Sequence, residues 1–267
     1  MAGITRFFPA ATAPLLLVLP VLPVQFAGCN YYVSEQAKHQ LRQSAKLVQK
    51  DSYAEAADKL RLLLEQDPPN PAASEALYLL GICNLSSGKT DQARRNFHQA
   101  LGVAEVPIIR HYLNLSLANL AFERGDYAKA GKLYGPYIDS LPRRSPFHWA
   151  HYRYGLALQT IGKWQQADVQ FSRIMHLFPR SDAYESAWQH FGHAHYTIEL
   201  GRFPSPELAQ EQKRQFPDLA DQIASAAIHE PDTWSYVNNY GKFENFAQAK
   251  QALASIKQIA GQARIVP

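Results

Sequence analysis

Between residues 36 and 203 apolar and small positions recur at helical spacing, and the same arrangement returns every 37 residues. Ala56, Ala93, Ala130 and Ala167 stand 37 apart, each followed four residues on by a bulky side chain: Leu60, Phe97, Tyr134 and Phe171. Gly88, Gly125 and Gly162 keep the same interval, with Asp51 in the equivalent place before Ala56, and Pro68, Pro142 and Pro179 close three of the four units. A fixed period between about 20 and 50 residues marks stacked supersecondary units that share a continuous core. Each unit predicts two helices, the second ones running over 53–65, 91–101, 127–141 and 164–178. The small Ala lets two helix backbones approach, and the bulky residue one turn later fills the gap between them. Gly supplies the tight inter-helix turn, and Pro stops the second helix.

Leu77, Leu80-Gly81, Ala93, Phe97 and Ala100 in the second unit, and Tyr154-Gly155, Leu158, Trp164, Ala167, Phe171 and Pro179 in the fourth, resemble the tetratricopeptide pattern W-x2-L-G-x2-Y…A-x3-F…P. That resemblance implies an all-α fold, a right-handed solenoid of helix pairs over residues 36–203. Trp188, Phe191-Gly192 and His195 resemble the start of a fifth unit that breaks off after Phe203. Two places depart from the pattern: Ala118 replaces the helix Gly in the third unit, and Pro107 comes late in the second.

In such a solenoid the first helices line the concave face. The outward positions collect Tyr78, Ile82, Leu85, Tyr112, Leu115, Phe122, Trp149, Tyr152, Leu156, His193 and Tyr196. Aromatic and aliphatic groups on a face open to water predict a groove for an extended peptide or a partner helix. The alternative is that the chain's own C-terminal segment, or tight superhelical curling, covers them. The Lys/Asn clamp of repeats that bind chaperone tails is missing, which argues against that partner class.

Beyond residue 203 the 37-residue register is lost. Residues 204–232 read as a helical connector with pieces at Glu207–Gln215 and Leu219–His229. Residues 233–267 read as a small βαβ segment: Trp234 to Phe243 is β-prone, Phe246–Ile259 is an alanine-rich amphipathic helix, and Ala263–Pro267 is a final strand. Gly241, Phe243, Asn245, Ala247, Ala249 and Ile256 resemble the first half of the SPOR peptidoglycan-binding domain, with the second half missing. The resemblance implies a glycan contact, for which Tyr236, Tyr240 and Phe243 are the candidates; the alternative is a flap packed on the last repeat.

The N-terminus changes the picture most. Residues 1–28 have the parts of an export signal, with Arg6 as the lone positive charge and an apolar run from about Ala13 to Val24 broken by Pro20 and Pro23. That run is shorter than the roughly 20 residues a bilayer-spanning helix needs. Phe26-Ala27-Gly28-Cys29 resembles the bacterial lipobox, with Phe where Leu is usual. The resemblance implies a diacylglyceryl group on Cys29, a tether over residues 29–35, and anchoring to a membrane surface. Asn30 resembles the sorting pattern of outer-membrane lipoproteins facing the periplasm. An ordinary cleaved signal with an incidental Cys is the alternative.

Composition and charge add little. Aliphatic and aromatic residues make up 46% of the 267, enough for a sizeable core. The +4 formal charge, from 27 Lys+Arg against 23 Asp+Glu, becomes +3 once Arg6 leaves with the signal, too small and scattered to predict nucleic-acid binding. Two cysteines make neither a disulfide framework nor a zinc site unaided, and Cys83 in an apolar helix reads as a small buried hydrophobe.

No catalytic constellation is visible. His190, His193 and His195 form the one dense histidine cluster, but 195 points about 140° away from 190 on a helix and no acid or thiol completes a ligand set. HExxH, Gly-x-Ser-x-Gly, Walker and dinucleotide patterns are absent. The sequence therefore predicts a non-enzymatic, lipid-anchored envelope scaffold without metal or cofactor. It resembles the repeat lipoproteins of outer-membrane β-barrel assembly and the pilot lipoproteins of secretins. A peptidoglycan binder acting through the C-terminal segment is the alternative.

Overall fold

The computed structural model describes residues 34–66, 70–143, 147–230 and 233–267. The chain divides into two compact units, residues 1–150 and 151–267.

The first unit is a run of antiparallel helices: α1 (Glu35–Gln49), α2 (Tyr53–Glu65), α3 (Asn70–Ser86), α4 (Thr90–Val103), α5 (Pro107–Glu123) and α6 (Tyr127–Tyr134). Ser34 caps α1 by accepting from the Ala37 amide at 3.2 Å, and Pro107 opens α5 where a missing N–H costs nothing. Successive helices pack on one another, and the first helices α1, α3 and α5 also touch their neighbours in kind.

The 37-residue register has a direct physical expression. Ala56, Ala93 and Ala130, with Leu60, Phe97 and Tyr134, are completely buried. A Cβ at Gly81 would come within 2.3 Å of the Phe97 ring, so only glycine lets α3 and α4 close to this distance. Gly88 and Gly125 turn the chain in the left-handed region (φ 71° and 77°), and Asp51 does the same without glycine's freedom (φ 59°). At these turns the amides of Ser52, Lys89 and Asp126 reach back to the carbonyls of Leu47, Asn84 and Ala121, a Schellman closure repeated pair after pair.

One helix is shorter than its pattern predicts. The periodicity extends to residue 141, but α6 ends at Tyr134, and a 3₁₀ turn (Ile138–Ser140) follows. Gly135-Pro136 is the cause, since Pro lacks the N–H and its ring clashes with the preceding turn.

Helix α7 (His148–Thr160) runs into the second unit, which continues with α8 (Trp164–Leu177) and α9 (Ala183–His190). Gly155 repeats the Gly81 device, its Cβ position lying 2.6 Å from the Phe171 ring. Gly162 repeats the turn at φ 83°, with the Lys163 amide bonded to the Leu158 carbonyl.

After α9 the structure departs from the sequence reading. No fifth helix pair forms. Gly192 turns the chain at φ 80°, and the polypeptide enters β1 (Tyr196–Phe203), followed by α10 (Pro206–Arg214), a 3₁₀ stretch (Pro217–Gln222), β2 (Ile223–Glu230), β3 (Thr233–Phe243), α11 (Phe246–Ile256) and β4 (Arg264–Val266). The strands form one antiparallel sheet in the order β2-β3-β1-β4. The expected division at residues 203 and 233 therefore cuts through a single βαββαβ body. Leu219–His229, expected to be helical, is mostly strand because β3 offers it a full ladder from Ile223↔Tyr240 to Glu230↔Thr233. Pairing across the β2–β3 hairpin overrides the helix preference of Ala224, Ala226 and Ala227.

The two halves of this body repeat at an offset of 40 residues. Gly201 matches Gly241, Phe203 matches Phe243, and both rings fold back over their glycine, 2.7 and 2.6 Å from where a Cβ would stand. Ser205 and Asn245 are equivalent N-caps, accepting from the amides of Leu208 and Gln248. Ala209 and Ala249 are equivalent buried contacts. The ladder maps onto itself: Tyr196↔Phe243 becomes Tyr236↔Phe203, and Thr197↔Val266 becomes Val237↔Ala226.

Candidate functional site

The face predicted as an open groove is largely packed. Tyr78, Ile82, Tyr112, Leu115, Tyr152, Leu156 and Tyr196 are buried. Buried positions run round α3, α5 and α7, with polar residues such as Asn84, Asn114, His151 and Arg153 among them, so each is covered on several sides rather than on one stripe. Tyr78 meets the Phe97 ring at 5.8 Å and Ser116 of α5, and burial holds its phenol far above the usual tyrosine range. Tyr152 lies 6.1 Å from Phe171 and edge-on to His190 at 6.0 Å. Tyr196 belongs to β1 and its sheet core, not to a repeat helix. Seven of the eleven residues named are thus buried and do not form an open groove.

Leu85, Phe122, Trp149 and His193 stay half-buried. Leu85 and Phe122 are equivalent residues, 37 apart, the penultimate positions of α3 and α5, and the Phe122 ring is held edge-on by Tyr127 at 5.3 Å. On the same face of α3, one turn before Tyr78, burial pushes the Glu75 carboxyl up to about 7. Sequence reasoning missed Glu75, because periodicity registers only apolar positions.

The histidines do not converge. His190 ends α9, where its Nδ1 meets Gln159 Oε1 at 2.7 Å and its ring lies 5.7 Å from Phe171. Burial lowers its pKa to about 4, a neutral side chain wedged in a core. His193 Nε2 meets the Gln189 carbonyl at 3.2 Å. Among the described residues no group of three His, Cys, Asp or Glu side chains could hold a metal ion. Cys83 is buried, and desolvation raises its thiol to about 11. Cys29 lies outside the described residues.

The three glycan candidates are not displayed together. Tyr240 and Phe243 pack against the core between sheet and helices, with Ile198, Leu200, Ile223 and Ile256. Tyr236 points to the same side, since it shares its face with Asn238, whose Nδ2 donates to the Ala209 carbonyl of α10 at 2.7 Å. A βαβ fragment with a bare sheet underneath would have exposed these rings; the complete body packs Tyr240 and Phe243 against its core and leaves Tyr236 half-buried. The opposite face of the sheet carries a polar cluster among Val237, Val266, Ala224 and Ala226. Glu199 sits there between two arginines, Arg264 donating through Nη2 at 2.6 Å and Arg202 at 3.1 Å, beside Thr197 and Asn239.

Trp164 joins the sheet body to the last helix pair. It opens α8, packs edge-on to Tyr196 at 4.8 Å, and donates its indole N–H to the Glu244 carbonyl at 2.6 Å.

A glycine closing against an aromatic ring marks α3–α4 and α7–α8 as tetratricopeptide-type helix pairs. The tetratricopeptide-repeat family model matches residues 75–102 and 149–181. Among solved structures, the chain is similar to PilF of Pseudomonas aeruginosa (20% identity, TM-score 0.49, 56% of this chain and 64% of that one). It is also similar to YrrB, described as a TPR protein with an unusual peptide-binding site (17%, 0.48, 58% and 73%), and to a tetratricopeptide repeat protein from Parabacteroides merdae (21%, 0.48, 59% and 59%). No curated protein matches. The chain contains tetratricopeptide repeats, a fold whose stacked pairs present extended surfaces for protein contacts.

Proposed function

We propose that this protein is a lipid-anchored scaffold of the bacterial cell envelope, tethered through Cys29 to the outer membrane, facing the periplasm and holding partner proteins on its helix pairs. The observation that carries the reading is the pair Leu85 and Phe122, half-exposed apolar side chains at equivalent positions of consecutive repeats. A ladder of such positions reads an extended segment by its side-chain spacing. Photo-crosslinking from residues 85 and 122 in intact envelopes should trap the same protein, and Leu85→Glu with Phe122→Glu should release it. Distinct or absent adducts at the two positions overturn the groove. For the tether, labelled palmitate should enter the wild-type chain and not Cys29→Ser.

A second reading, peptidoglycan binding through the C-terminal body, is favoured by one observation. The SPOR resemblance covers only half a domain in the sequence, whereas residues 196–266 supply both halves of a βαββαβ body with matching Gly, Phe and N-cap positions. The polar face around Thr197, Glu199, Asn239 and Arg264 is where a sugar chain would lie. Deleting 233–267 removes a central strand, so the test uses Asn239→Ala with Arg264→Ala in the full chain. Binding to glycan strands stripped of peptide should fall at least tenfold; unchanged sedimentation retires the reading.

A further inference from the structure

The 40-residue repeat exposes an asymmetry. At one end of the β1–β3 pair, the Tyr196↔Phe243 rung is covered by the turn Gly162-Lys163-Trp164. Gly162 lies so close that a Cβ there would stand 3.1 Å from the Glu244 carbonyl, and the indole caps that carbonyl while stacking edge-on against Tyr196. Tyr196 is left 7% exposed.

The 40-residue offset places an equivalent site at the other end. Its rung is Tyr236↔Phe203, its loop carbonyl belongs to Pro204, and its helix start is that of α10. No ring among the described residues packs on Tyr236. Trp234, two residues along the same face of β3, is 55% exposed and held edge-on by His229 at 4.8 Å, and Leu208, in the first turn of α10, is 44% exposed. These are among the larger apolar exposures of the described residues.

We propose that the Phe203–Tyr236 end of the sheet is a docking site for a turn of a partner protein that presents an aromatic side chain, with the ring on Tyr236 and its N–H or O–H donated to the Pro204 carbonyl. The occupant's chemistry follows from the sister site, where this chain supplies such a turn itself. The carbonyl gives a directional polar contact inside an apolar patch, which selects Trp or Tyr over Leu or Phe. The site is separate from the helix-pair groove and from the polar face of the sheet, so it stands or falls apart from both.

The probe is the acetylated and amidated peptide Thr-Ile-Gly-Lys-Trp-Gln-Gln-Ala-Asp, residues 160–168 of the chain, titrated into the isotope-labelled full chain in detergent. Saturable amide shifts are expected at Phe203, Ser205, Leu208 and Tyr236, with a dissociation constant below about 1 mM. The same peptide with Ala for Trp should give none. Leu208→Glu, at an exposed position, should weaken binding at least tenfold while leaving the circular dichroism spectrum and Tm unchanged. Shifts that are absent, lie elsewhere, persist with the Ala peptide or survive Leu208→Glu overturn the proposal. So does self-association abolished by Leu208→Glu, which would make the patch a contact between copies, or saturation of the same amides by an N-acetylglucosamine oligomer but not by the peptide.

Discussion

The indole N–H of Trp164 donates to the backbone carbonyl of Glu244, 80 residues away and 2.6 Å distant. This bond, with the edge-on contact to Tyr196, seats the last helix-pair turn on the sheet body. Trp164→Ala removes ring burial and hydrogen bond together and should cost about 3–5 kcal/mol in denaturant unfolding. Trp164→Phe keeps most of the apolar contact but leaves the carbonyl unpartnered, a loss of about 1–3 kcal/mol. Equal losses in both variants would show that the hydrogen bond, not packing, holds the junction.

Three helical glycines should respond with opposite signs. Gly81→Ala and Gly155→Ala drive a methyl into the rings of Phe97 and Phe171, at 2.3 and 2.6 Å, and should each destabilise by about 1–3 kcal/mol. Gly102, within α4, has nothing within 4 Å of a Cβ, so Gly102→Ala should stabilise by about 0.5–1 kcal/mol through helix propensity. Thermal melts of the three variants read the contrast directly.

Burial sets two opposed pH slopes. Glu75 titrates near 7 in the folded chain against an ordinary 4.5, so its neutral form is the one the fold favours. That stability is complete below about pH 4.5 and is lost as pH rises through 7. Glu75→Gln should abolish the loss, a gain of at most about 3 kcal/mol at pH 8 and none at pH 4. His190 runs the other way: its folded pKa near 4 lies below the ordinary 6.5, so its contribution is present above 6.5 and is lost as pH falls through 4. His190→Gln should flatten the acid side alone, which unfolding midpoints from pH 3.5 to 8 would resolve.

Ser205 and Asn245 cap equivalent helices through equivalent bonds to Leu208 and Gln248. Ser205→Ala and Asn245→Ala should each cost about 1 kcal/mol in urea unfolding, and the double variant about the sum. Strong non-additivity would mean that the two halves of the body are coupled beyond their shared sheet.

Within residues 53–177 the sequence legibly specifies the second helices, because their information is local. Alanine and a bulky residue four apart, entered through a left-handed turn, state a helix pair whatever surrounds it. Asp51 shows how robust that register is, holding φ 59° in glycine's place. The limit of local information shows at α6, where Gly135-Pro136 cuts short a periodicity that continues in side chains alone.

The candidate groove was less legible, for a geometric reason. An apolar residue on a first helix reads the same whether it faces solvent or a neighbouring helix, and the packing of α3, α5 and α7 buried Tyr78, Tyr112 and Tyr152 while leaving Leu85 and Phe122 within reach. Glu75, the titrating group on that face, carries no periodic signal at all.

By itself, then, the sequence determined the repeat: which helices pair, where each turn goes left-handed, and which glycines must stay bare. Only the tertiary structure decided where the repeats end. The strand Tyr196–Phe203 resembles the start of another helix until β3 lies alongside it, and the alanines of β2 join a strand only because a ladder is there to receive them. Helix bonds close within four residues and can be read from a short window. Strand bonds close across longer stretches, 33 to 47 residues between β1 and β3, and their meaning exists only once the partner has arrived.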